Sequence, residues 1–132
     1  MIDEIWVSPM VHVITGVAVL VTTLLALAVT TLLAVRDKRV STGASLMMVA
    51  AQLALMVQAL IGIKLLDQGL GPLQLFIHYV GGLGPLLFYF VYYWMPRGVR
   101  LRRWTAPWVT GSAFLFALMA FTIGASYVPG GI

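Results

Sequence analysis

The chain has 132 residues, 61% of them hydrophobic and 9% charged, with a mean hydropathy of +1.01. A soluble domain carries about 25% charged residues, so this chain has too little polar surface to cover itself in water and reads as an integral membrane protein. Seven of the eight basic residues sit in two short connectors rather than along one face, which argues for membrane topology and against nucleic acid as a partner, and the absence of cysteine excludes disulfides, thiolate metal sites and thiol nucleophiles.

The opening "MIDEIWVSPM" is acidic and lacks the basic start of a cleaved signal peptide, so the apolar run behind it is expected to be retained. Four apolar segments follow, at roughly 10–35, 44–66, 72–95 and 105–127, each long enough to cross a bilayer core of about 30 Å. The first carries His12 in its first turn, flanked at spacing four by Ser8 and Gly16. The connector "RDKRVSTG" leads to the second, which contains the amides Gln52 and Gln58, Gly62 near its end, and Lys64. These amides are expected to hydrogen-bond between helices, Gln58 close to the histidines.

After the short loop "DQGLGP", the third segment holds His78 about two turns in, flanked at the same spacing by Gln74 and Gly82. Its "GGLGP" run, Gly81 to Pro85, is expected to kink the helix. The aromatic run "FYFVYYW" suits bundle packing or the interfacial belt, with a quinone or pigment contact as the alternative. The connector "PRGVRLRRW" leads to the fourth segment, with Gly124 near its far end.

Short connectors make neighbouring helices antiparallel, so the expected fold is all-α: one transmembrane domain over 1–132, an up-down four-helix bundle. Arg36, Lys38, Arg39, Arg97, Arg100, Arg102 and Arg103 lie in the first and third connectors; Lys64 stands towards the other end with Asp3, Glu4 and Asp67. The positive-inside rule then places both basic loops in the cytoplasm and both termini outside, as in a multi-pass protein of a bacterial-type inner membrane. Trp6, Trp94, Trp104, Trp108 and Tyr127 fall near segment ends, where interfacial aromatics anchor a bundle.

In that topology the two histidine segments run the same way and both rings lie in the outer half of the membrane. The matching flanks read as a weak two-fold repeat of a helical hairpin. Two neutral imidazoles facing one another across a bundle suit axial ligation of a single haem iron. Gly16 and Gly82 would leave room for the macrocycle, Ser8 and Gln74 could fix the ring tautomers, and Lys64 could meet the propionates. Plain packing is the competing reading, because glycine and small residues at spacing four are frequent between membrane helices. The four acids are all terminal or in connectors, with no buried carboxylate pair for acid–base chemistry.

Three stretches, "HVITGVAVLVTTLLALAV", "LALMVQALIGIKLL" and "LQLFIHYVGG", together resemble one half of the haem A synthase family, whose members join two four-helix repeats, each with a histidine pair. The resemblance implies that His12 and His78 are axial ligands of a b-type haem. A glutamate expected shortly before the first histidine in the family's catalytic half is replaced here by "WVSPMVH", which argues against the family's oxidation of a haem methyl group. The expected role is therefore a small cytochrome b-type subunit rather than a stand-alone enzyme. It would pass electrons between a periplasmic partner and the quinone pool or a larger respiratory or photosynthetic complex. The alternative is a haem-free accessory subunit of such a complex, its histidines packing or contacting pigment singly.

Overall fold

The structure is a computed structural model that describes residues 4–72 and 74–125. Asp3, Tyr127 and the end of the fourth expected segment lie outside the described residues. Four long helices carry the fold: α1 (Pro9–Val35), α2 (Thr42–Asp67), α3 (Leu75–Trp94) and α5 (Thr105–Ala125), with a single turn, α4 (Arg97–Arg100), in the last connector. No strand occurs among the described residues. All four long helices are long and apolar enough to cross a membrane. At about 1.5 Å per residue, the 20 residues of α3 span roughly 30 Å and the 27 of α1 roughly 40 Å.

Local chemistry sets the boundaries. Ser8 accepts from the Met10 backbone N–H, and Pro9 occupies the first helical position where its missing donor is harmless. Ser41 caps α2 through the Ala44 N–H. Both helices end in a reversed turn: Lys38 N–H donates to the Leu33 carbonyl over Asp37 (φ 55°), and Leu70 N–H to the Leu65 carbonyl over Gly69 (φ 76°). The Gly69–Pro72 stretch delays α3, which starts at Leu75 rather than at 72. His78 therefore lies in the first turn, as the fourth residue of its helix, and His12 is likewise the fourth residue of α1. Pro85 is buried inside α3, and the helix continues through it to Trp94.

Helix α1 packs on α2 and α5, and α3 packs on α5, while α2 and α3 touch less than any of these pairs. Neighbours run in opposite directions: the Val7 backbone bonds both ways with the Gln68 side-chain amide beyond the end of α2, and Thr30 near the end of α1 meets Thr110 near the start of α5 at 3.0 Å. Small and hydroxylic residues make up much of the interior, around a few large side chains such as Met48, Leu55 and Tyr89. Ala26, Ala51, Ala106 and Ala113 are fully buried, and so are Thr23, Thr30 and Thr110. Each of these threonines returns its hydroxyl to the carbonyl four residues back, which spares a polar atom in an apolar setting. Small side chains let helix backbones approach where lipid offers no hydrophobic drive to pack. Many other large apolar residues face outward, Leu46, Leu60, Leu87 and Leu115 among them. Trp6, Trp94 and Trp108 stand exposed near helix ends.

The bundle has two chemically different ends. Arg103 and Asp37, 3.1 Å apart, tie together the two basic connectors. The opposite end holds the starts of α1 and α3, and with them both histidines.

Candidate functional site

At the histidine end a cavity of about 480 Å³ opens between the helices, lined by His12, His78, Gly16, Gly82, Gln58 and Phe121 together with aliphatic side chains of α2 and α3. This volume lies in the range of small-molecule and cofactor sites. The cavity occupies the side where α2 and α3 make little contact. The His12 and His78 rings stand 6.0 Å apart between centroids, inclined by 56°. One helix start delivers each ring.

Each ring lies over a glycine of its partner helix. A Cβ added at Gly62 would come within 3.1 Å of His12 Cε1, and one at Gly124 within 3.1 Å of His78 Cε1. The hairpin correspondence read from the sequence thus appears as contact: α1 pairs with α2 as α3 pairs with α5. The nearer glycines behave differently. A Cβ at Gly16 would press on Phe121 and on the Gln58 amide, whereas Gly82 faces open space.

The polar partners come from the neighbouring helices, not from the same helix one turn back. His78 Nδ1 lies 3.0 Å from the Ala120 carbonyl. A carbonyl only accepts, so the ring proton is on Nδ1 and the Nε2 lone pair is left free. Gln58 Nε2 lies 3.0 Å from the His12 carbonyl and 3.3 Å from His12 Nε2, while its oxygen takes the Thr15 hydroxyl. The His12 carbonyl fixes the amide orientation, so the same NH2 group donates to His12 Nε2 and leaves the ring proton on Nδ1. His12 Nδ1 is buried and has no hydrogen-bond partner among the described residues.

The remaining expected site residues lie further out. Ser8 is spent on capping α1, and the Gln74 carbonyl accepts the His78 backbone N–H. Lys64 is paired with Asp67 at 2.8 Å. Gln52 reaches the Met48 carbonyl and the Tyr93 hydroxyl of α3. Both glutamines of α2 thus bridge helices, as expected, and Gln58 belongs to the cavity. The sequence reading passed over Thr15 and Ala120. Thr15 lies three residues after His12 and so shares its face, which is a usable signal; a backbone carbonyl leaves none.

No group of three or more His, Cys, Asp or Glu side chains gathers among the described residues. The site offers two imidazoles. The chain matches no family model, no curated protein and no solved structure.

Proposed function

We propose that this chain is a small membrane cytochrome b-type subunit that holds one haem b between His12 and His78 and takes part in one-electron transfer. The observation that carries this reading is the approach of the two rings across the bundle. Two imidazoles sharing one ion at about 2 Å each have centroids roughly 6 Å apart. Two protein ligands suffice for haem, because the macrocycle supplies the other four. Separate pigments would want the two rings apart, whereas both rings line one cavity.

The residues present fit such a group. The Nδ1–H of His78 is held by the Ala120 carbonyl, which orients its ring and leaves Nε2 to ligate. Gly62, Gly82 and Gly124 keep side chains out of the space around both rings. When bound, haem supplies a reversible ferric–ferrous couple.

By the positive-inside rule, the basic end tied by Arg103 and Asp37 faces the cytoplasm. The termini and the histidine end then face the periplasm of a bacterial-type inner membrane. One redox centre near one face does not carry an electron across the bilayer by itself, so the reading includes partners: a periplasmic donor or acceptor, and the quinone pool or a larger respiratory or photosynthetic complex. The reading keeps the sequence resemblance to one half-repeat of the haem A synthase family, without the glutamate of its catalytic half.

A second reading is a haem-free accessory subunit, favoured by the bond between Gln58 and His12, which would then serve packing alone. A reduced-minus-oxidised optical spectrum of the purified chain separates the two. A b-type α-band diminished or lost in His12→Ala and His78→Ala supports haem ligation; a featureless spectrum from folded protein favours the accessory role.

A further inference from the structure

We infer that the two histidines are unequal ligands: His78 is fixed, whereas His12 is displaceable and is held off by Gln58, so that a small neutral diatomic ligand can take its coordination position. This rests on the haem reading above. The inequality comes from the ring nitrogens. Both rings carry the proton on Nδ1 by the logic of their partners, so each would ligate through an Nε2 lone pair. On His78 that lone pair makes no hydrogen bond among the described residues. On His12 it is already taken by the Gln58 amide at 3.3 Å.

Gln58 is itself held. Its oxygen takes the Thr15 hydroxyl and its nitrogen the His12 carbonyl, so the amide stays in place on α1 whether or not it keeps the ring. Ligation by His12 must break one hydrogen bond, and release of His12 restores it. Ligation by His12 would exchange that hydrogen bond for a bond to the iron, so its net gain is smaller than that of His78 by about one hydrogen bond, and the position of His12 is the one that opens more readily. For His78, the ring hydrogen bond to the Ala120 carbonyl orients it for ligation instead of competing with it. Room beside His12 is provided by Gly62 and by the cavity. With haem held between the two histidines, a diatomic such as carbon monoxide would need only the position that His12 leaves, with no electron or proton transferred, so nothing beyond the reduced protein would be required. Gln58 is in these terms a positioning residue.

The test is a carbon monoxide titration of the dithionite-reduced, haem-loaded full chain, with spin state read by resonance Raman. The wild type should bind the gas and show a mixed coordination number. Gln58→Leu should shift the population towards six-coordinate low-spin and weaken carbon monoxide binding by about tenfold, the worth of one hydrogen bond in an equilibrium. Thr15→Val, which loosens the amide without removing it, should shift both in the same direction by less, and stands in if Gln58→Leu fails to fold. His12→Ala should be high-spin and bind carbon monoxide at least as tightly as wild type. Low-spin wild type that ignores the gas, or variants with unchanged affinity and spin state, would overturn unequal ligation while leaving the haem reading in place. Absence of any haem spectrum from the wild type overturns both.

Discussion

The α1–α2 pair and the α3–α5 pair bring a histidine to the same place by the same means and then treat it differently. In each, the ring is the fourth residue of its helix and lies over a glycine of the partner, Gly62 or Gly124. Beside His78 stands the Ala120 carbonyl; beside His12 stands the Gln58 amide. A backbone carbonyl in a helix can only accept and scarcely moves, so it commits the ring to one tautomer and one direction. A side-chain amide N–H donates and so competes for the lone pair a metal would use. A shared backbone plan thus sets where a ligand stands, while the identity of one neighbour sets how firmly it is available.

Replacing the histidines one at a time gives the largest expected contrast. His78→Ala should lower haem retention in the purified protein by about tenfold or more, whereas His12→Ala should keep a high-spin fraction. Equal loss in both, by pyridine haemochrome assay, would erase the distinction between the halves. Next, Gly62→Leu and Gly124→Leu should each displace the ring above them and abolish the low-spin spectrum, because even a Cβ sits at the limit of contact in both places. A spectrum that survives in either variant would show that the ring over that glycine does not ligate.

Gly81→Leu probes packing on the α3–α5 side alone. A Cβ there would meet Ala120 Cβ at 2.8 Å and the Phe116 carbonyl at 3.0 Å, and backbone gives way poorly. The expected cost is about 1–3 kcal/mol, read as a lowered Tm in detergent. Thr30 and Thr110 join the halves through a buried hydroxyl pair at 3.0 Å. A double-mutant cycle with valine at both positions should return a coupling of about 0.6 kcal/mol. The smallest effect is expected at Tyr89, whose buried hydroxyl has no partner among the described residues. Tyr89→Phe should leave Tm unchanged or raise it slightly, since it removes an unsatisfied polar atom and keeps the ring.

Composition and periodicity were enough to give the four long helices, because a segment of about 20 apolar residues has few other ways to satisfy its backbone in lipid. They also gave the two basic connectors at one end and the two histidines at the other, since alternating helix direction follows from short connectors. The start of α3 was misjudged by three residues: an apolar run does not reveal that Gly69–Pro72 holds the chain out of the helix. The short turn α4 was hidden for a similar reason, lying within a connector whose charges dominate its pattern. Spacing of four along a single helix drew Ser8 and Gln74 towards the histidines, yet Ser8 is claimed by its own helix end. The partners that orient the rings come from α2 and α5, and only the packing of those helices decides that Gln58 faces one ring and the Ala120 carbonyl the other. Sequence by itself thus determined the number of long helices and the end at which the histidines sit, because these depend on local hydrophobicity and charge. Tertiary structure alone decided the distance between the rings, the glycines beneath them and the difference between their neighbours, because those depend on how helices far apart in sequence are rotated against one another.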